Sequence, residues 1–215
     1  MTDVKRRIAL DLLKIGAVFL RPEKPFKWAS GILSPVYCDN RLTLSDPDVR
    51  SDVETAIAET VRAEYPDAEM LMGTATAGIA HAAIAAHILG LPMGYVRSGS
   101  KDHGRQNRIE GRMDSGCRAV IIEDLISTGG SVIDVANALR EAGADVLGIV
   151  SIFTYGMERG KRRLEECGLK CVSLTDFDST VAVAVESGYI RESDVRSLMH
   201  FRDNPSDESW IGGAI

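Results

Sequence analysis

Residues 118–131 read RAVIIEDLISTGGS. Ala119 to Ile122 make a short, β-branched apolar run, the composition of a buried strand. Two adjacent carboxylates follow, Glu123 and Asp124, and then a loop of small residues, Ser127-Thr128-Gly129-Gly130-Ser131. From Val132 the apolar positions return at helical spacing, at Val135, Ala136 and Leu139. A strand, a small-residue loop and a helix start therefore stand in order. Such a turn aims free N–H groups and the positive end of a helix dipole at whatever anion occupies the loop. No lysine follows the second glycine, so this is not a Walker A loop, and it is not GxGxxG. The acidic pair upstream sets it apart. Carboxylates repel phosphate and suit neutral hydroxyls, so the pattern points to a sugar joined to that phosphate, a ribose 5-phosphate group.

The whole chain sets the bounds around this motif. At 215 residues it is long enough for one well-buried core, and a single domain is expected. Hydrophobic residues make up 45% and charged residues 26%, the balance of an ordinary globular protein. A net charge of −6 argues against general nucleic-acid or membrane-surface binding. Lys5-Arg6-Arg7 is followed by no apolar segment of a secretory leader, and no run approaches the ~20 apolar residues of a membrane span. Cys38, Cys117, Cys167 and Cys171 form no CxxC, so reduced thiols and a cytoplasmic location are expected.

Periodicity predicts helices over Val4–Ala17, over Asp46–Tyr65 (opened by Ser45, with Pro47 in the first turn), and from Gly78 to about Leu89. Further helices are predicted over Val132–Ala142, Glu158–Cys167, Asp178–Ser187 and Glu192–His200. Strands are predicted at Glu69–Met72, Met93–Val96, Asp145–Thr154 and Lys170–Leu174, besides the one in the central motif. This alternation predicts an α/β fold, a mostly parallel sheet flanked by helices. The irregular segment Arg21–Arg41 carries three prolines and fits poorly inside such a sheet. We expect it within a small N-terminal hood, about 17–44, over the strands' carboxyl ends, where ligands of open α/β sheets bind. The tail from Asp203 to Ile215 has weak periodicity and is expected to be partly mobile.

Two more segments have chemistry to offer. Gly73-Thr74-Ala75-Thr76-Ala77-Gly78 is a second strand–loop–helix turn, readable either as an anion cradle or as a tight connection. Arg97–Arg112, RSGSKDHGRQNRIEGR, holds five Arg or Lys against Asp102 and Glu110, a local excess of +3. A charge run is most often a solvated surface loop. Beside two anion cradles, residues about 98–112 read better as a flexible lid that closes over a polyphosphate, with Lys101 and His103 as phosphate donors and Arg97 anchored by the preceding strand. Elsewhere the structural reading wins. His81 and His87 stand six apart on a helix and share no metal-binding face, and His200 is solitary. Trp28 and Tyr37 could stack on a planar ligand or simply pack the hood. No Ser-His-Asp order or nucleophile elbow is visible.

Taken together, VIIEDLISTGGS closely resembles the phosphoribosyl-pyrophosphate (PRPP) motif of type I phosphoribosyltransferases. FKWASGILSPVYCDNR (26–41), GTATAG (73–78) and KDHG…IEG (101–111) resemble the orotate phosphoribosyltransferase branch, over roughly Leu10 to Gly188. The resemblance implies conversion of orotate and PRPP to orotidine 5′-monophosphate and pyrophosphate in pyrimidine synthesis. Mg²⁺ would be the cofactor, carried mainly by PRPP, with no protein ligand to the metal assigned. It implies Glu123 and Asp124 on the ribose hydroxyls, and Leu125, Ile126 and Ser127 to Ser131 around the 5′-phosphate, with Ser127 or Thr128 also near orotate. Arg97, Lys101 and His103 would bind pyrophosphate, with Thr74, Ala75 and Thr76 contacting it through their backbone. Ser34–Arg41 would shape the orotate pocket, with Arg41 as a candidate carboxylate partner. Lys101, His103 and Asp124 are then the candidate catalytic residues, in a homodimer whose sites are shared because Lys101 and His103 reach into the neighbouring subunit. Two positions depart from some family members: Ser98 replaces a lysine after Arg97, and Ala29 replaces a lysine before the hood's Ser-Gly. That leaves Lys101 more of the pyrophosphate to hold. A purine-base phosphoribosyltransferase is the nearer competing reading, and a PRPP-sensing regulator the more distant one. The hood sequence opposes the first. A sequence pI near 5.3 with no added DNA-binding segment opposes the second.

Overall fold

The computed structural model describes residues 2–27, 31–99 and 108–211. Helix α1 (Asp3–Lys14) opens the chain, with the Thr2 hydroxyl accepting from the Lys5 N–H. Four short strands follow, β1 (Val18–Leu20), β2 (Phe26–Lys27), β3 (Leu33–Ser34) and β4 (Val36–Cys38), paired antiparallel as β1–β4 and β2–β3. A 3₁₀ turn, Asn40–Ser45, leads into α2 (Pro47–Glu64). The cap of α2 is Asp46 and not Ser45, because the Asp46 carboxylate accepts from the Asp48 and Val49 N–H groups.

The main sheet has six strands in the order β10-β9-β8-β5-β6-β7. These are β5 (Met70–Thr74), β6 (Met93–Val96), β7 (Ile109–Glu110), β8 (Arg118–Ile126), β9 (Asp145–Thr154) and β10 (Cys171–Asp176). Every pairing is parallel except β6 with β7, which makes the expected fold class correct. Helices α3 (Gly78–Leu89), α4 (Gly130–Glu141), α5 (Glu158–Glu166), α6 (Phe177–Glu186) and α7 (Val195–Asp203) complete the chain. Each face of the sheet has its own core. Leu71, Val120, Ile122, Val150 and Ile152 pack one side, and Met70, Met72, Ile121 and Ile149 pack the other. Residues alternating between two buried faces are what near-continuous apolar strands predict.

Three departures from the periodicity have physical causes. Strand β5 continues through Gly73 and Thr74, which pair with Tyr95 and Val96, so a third of the small-residue turn is ladder. Gly73 is needed there because a Cβ would stand 2.9 Å from the Gly78 carbonyl oxygen. Strand β7 lies inside the segment read as loop; two residues are too few to carry a pattern, and their pairing comes from β6. The tail is the clearest correction. Trp210 is only 1% exposed and meets Phe201 edge-on at 5.8 Å between ring centroids, so the tail packs on α7 as far as Trp210. Residues 212–215 lie outside the described residues.

Candidate active site

The parallel strands β5 and β8 are neighbours in the sheet, and their carboxyl ends bring the two small-residue turns side by side. On β8, Glu123 is buried at 5% exposure while Asp124 is half-buried. The Asp124 N–H donates to the Glu123 Oε1 at 3.0 Å. Burial first, and the adjacent Asp124 second, push the Glu123 carboxyl up to about 9, against the opposing pull of the Asp124 N–H. Near neutrality Glu123 is therefore held as a neutral acid.

That shift has a consequence for the unliganded protein. An unperturbed Glu ionises near 4.5, and Glu123 in the fold near 9. A raised folded-state value means the contribution to stability is complete below pH 4.5 and is lost as pH rises toward 9. Glu123→Gln cannot ionise and removes that part of the slope. Thermal melts from about pH 5 to about pH 9 are expected to show wild type losing more Tm than the variant. Parallel curves would contradict the assignment.

Beyond the lip, Glu123, Leu125 and Ser127 to Ser131 line a cradle of about 110 Å³. Gly129 takes φ of 72° at the start of α4, a left-handed turn suited to glycine. No side chain caps α4, so its first-turn N–H groups face the loop and are available to an anion. Ile126 lines the cradle as well, though it is only 3% exposed, and its carbonyl accepts from the Tyr155 N–H at 3.0 Å. A second cavity of about 320 Å³ opens on the other side of Ser127, lined by Thr154, Tyr155, Met157 and Lys161 among others.

On the β5 side, Thr74 is buried, Ala75 half-buried and Thr76 exposed, and the Ala75–Thr76 peptide is cis. The turn closes on Gly78, whose added Cβ would stand 2.4 Å from the Ile122 carbonyl oxygen. The base of the basic segment is braced from both sides. Arg97 donates to Glu110 at 3.0 Å across β6 and β7, and Arg108 pairs with Asp134 of α4 at 2.6 Å. Arg97 is thus half-buried and already paired. Lys101 and His103 lie outside the described residues, as do Trp28 and Ala29.

The hood meets the lip through Asn40, which sequence reasoning passed over. Its buried side-chain amide donates to the Asp124 carbonyl at 2.7 Å, and its own oxygen accepts from the Cys38 thiol at 3.3 Å. Arg41 is exposed and forked onto Asp39, with Nε at 2.6 Å from one carboxylate oxygen and a terminal nitrogen at 2.8 Å from the other. That guanidinium holds Asp39 below the usual carboxylate range. Tyr37 leans on Phe26 at 5.6 Å, so at least part of its ring serves the hood. Helix α5 supports the cradle from behind. Gly160 presses its backbone on Ser127, where a Cβ would meet the carbonyl oxygen at 2.5 Å, and Arg163 donates to the Thr128 carbonyl at 3.0 Å. Neither was marked in the sequence, because a glycine and an arginine on a surface helix carry no signal of their own.

Comparison with known proteins shows the family. The phosphoribosyl transferase domain family matches residues 43–187. Over 208 residues, 97% of this chain and 96% of the relative, the chain is 54% identical to orotate phosphoribosyltransferase of Bacillus subtilis (strain 168). The chain belongs to the orotate phosphoribosyltransferase family. Membership makes it a glycosyltransferase of the pentosyl class. Orotate phosphoribosyltransferase from Aeropyrum pernix superposes with a TM-score of 0.74 at 29% identity, covering 86% of this chain and 99% of that one. UMP synthase of Leishmania donovani shares the fold, with a TM-score of 0.79 at 24% identity over 92% of this chain and 42% of its own.

Proposed function

We propose that the chain transfers the 5-phosphoribosyl group of PRPP to orotate, giving orotidine 5′-monophosphate and pyrophosphate. The observation that carries this reading is the acidic lip and glycine cradle of β8 beside the Thr74–Gly78 turn of β5. In it, N–H groups of Ser127 to Ser131 hold the 5′-phosphate, and Glu123 and Asp124 take the ribose hydroxyls. A neutral Glu123 can donate as well as accept, and adds no negative charge of its own beside the phosphates. Orotate lies beside Ser127 under the hood segment Ser34–Arg41, with Arg41 retained as a carboxylate partner once it leaves Asp39 on binding. Thr74, Ala75 and Thr76 meet pyrophosphate through their backbone, and Lys101 and His103 supply cations, with Arg97 anchoring the segment's base.

Displacement at the anomeric carbon passes through oxocarbenium-like charge while negative charge grows on the departing pyrophosphate. Catalysis then depends on electrostatic stabilisation of that group and on shutting out water. Deprotonated orotate brings a competent ring nitrogen, so no strong protein base is required.

Mg²⁺ fits this donor set. Among the described residues no three ligating side chains converge, and Mg²⁺ commonly takes one or two carboxylates plus substrate phosphates and water. Asp124 would share it with PRPP oxygens. When bound, the ion neutralises charge on the leaving pyrophosphate. We place the protein in the cytoplasm, in keeping with four free cysteines, and no helix among the described residues is long and apolar enough to cross a membrane.

Pyrophosphate release from PRPP that requires both orotate and Mg²⁺ tests the reading; release without orotate, or none at all, would contradict it. We further propose a homodimer in which each site takes Lys101 and His103 from its neighbour. Mixing Lys101→Ala chains with Asp124→Asn chains is then expected to restore part of the activity, since one site of each hybrid dimer is intact. Verified hybrids with no recovery would contradict sharing.

A further inference from the structure

Helices α2 and α3 are joined by a buried pair that nothing above explains. Glu54 of α2 and His81 of α3 are both 0% exposed, and the His81 Nδ1 stands 2.5 Å from the Glu54 Oε1. The other two polar atoms, Glu54 Oε2 and His81 Nε2, have no hydrogen-bond partner among the described residues. Burying such groups is costly, and two apolar side chains would pack the same space more cheaply. What apolar contact lacks is direction. The rest of α3, GIAHAAIAAHIL, offers mainly alanine to its surroundings, with Ala82, Ala85 and Ala86 buried. Flat alanine contacts resist sliding and rotation weakly. One short hydrogen bond between helices fixes both.

The position of α3 matters because the helix forms one wall of the site. Its first residue, Gly78, lies against the Ile122 carbonyl, one residue before the acidic lip, and Gly73 lies against Gly78 in turn. The Thr74–Ala77 turn is strung between those contacts. At its other end, α2 follows directly on the 3₁₀ turn whose Asn40 holds the Asp124 carbonyl. The pair thus sits on a covalent and packed route from the hood anchor to the start of α3.

We infer that Glu54 and His81 are positioning residues for the transfer, setting the Thr74–Ala77 turn against the acidic lip and so setting the grip on pyrophosphate. The inference rests on the reading under Proposed function, and the assay separates the two. The reaction is run in both directions, with orotate and PRPP or with orotidine 5′-monophosphate and pyrophosphate. If wild type gives no turnover, the transferase reading fails; if it turns over, the variants judge the pair.

Orotidine 5′-monophosphate uses the cradle but not the pyrophosphate turn, so its KM is the internal control. His81→Leu is expected to raise KM for pyrophosphate and PRPP about tenfold, the worth of one hydrogen bond to a charged group. KM for orotidine 5′-monophosphate and orotate is expected to stay within about twofold, since their contacts lie elsewhere. Glu54→Gln keeps a neutral hydrogen bond to the imidazole and is expected to raise KM for pyrophosphate by only about threefold. A lower Tm with all four KM values unchanged, or all four rising together, would overturn the inference. If His81→Leu does not fold, Glu54→Gln decides alone: a selective rise supports the pair and no rise overturns it.

Discussion

Gly160→Ala is expected to lower kcat/KM for PRPP by ~10²-fold, the scale that misplacement by about an ångström carries in a preorganised site. Gly160 belongs to α5 and is not among the residues that line the phosphate cradle. Its backbone, however, is pressed on the phosphate cradle, and an added Cβ would stand 2.5 Å from the Ser127 carbonyl oxygen. That neighbour is main chain, so no side chain can swing away to make room. Either α5 retreats or Ser127 and Thr128 shift, and the N–H groups aimed at the 5′-phosphate shift with them. Alanine favours helix over glycine by ~1 kcal/mol, which offsets part of an overpacking cost of ~1–3 kcal/mol. The folded state therefore survives while the cradle loses its shape. Glu165→Ala, exposed on the same helix, is the control and should leave kcat/KM unchanged. Steady-state kinetics with PRPP as the varied substrate checks this, and equal values for wild type and Gly160→Ala would show that the cradle tolerates displacement.

Lys101→Ala carries the second large effect, and it falls on turnover more than on binding. A cation that meets growing charge on the leaving group stabilises the transition state more than the ground state. Removing one such group costs ~2–4 kcal/mol, or ~10²–10³-fold in kcat. PRPP binding, held also by the cradle and the acidic lip, is expected to fall far less. With an uncharged Ser98 after Arg97, and Arg97 half-buried against Glu110, Lys101 is proposed to have few cations to share the pyrophosphate with. Turnover near wild type in Lys101→Ala, with PRPP binding weakened instead, would reverse the assignment.

What the sequence disclosed about this site depended on whether the information was local. The cradle was legible because a strand, an acidic pair, two glycines and a helix start all fall within Arg118–Ser131. The parallel sheet was legible because β8 and β9 are long, apolar and separated by a helix-length segment. What stayed hidden was long-range. Asn40 reaches Asp124 across 84 positions, and Arg163 reaches Thr128 across 35. No periodicity records such contacts. The protonation of Glu123 was hidden for the same reason: two adjacent carboxylates look alike in sequence, and only burial separates them. His81 read as structural from its alanine neighbours, and the structure gives it a partner 27 positions away. Trp210 was missed because an isolated aromatic in a polar tail has no pattern, although Phe201 receives it.

The choice of base is the part of the account that the cradle does not decide, since the roles proposed for Arg118–Ser131 are mainly toward ribose and phosphate. It rests on the hood and on membership of the family. The direct measurement is a panel of bases, each offered with PRPP and Mg²⁺ and followed by ultraviolet absorbance. The account predicts loss of the orotate absorbance with no reaction of hypoxanthine, xanthine or adenine; turnover of a purine, with orotate untouched, would contradict it.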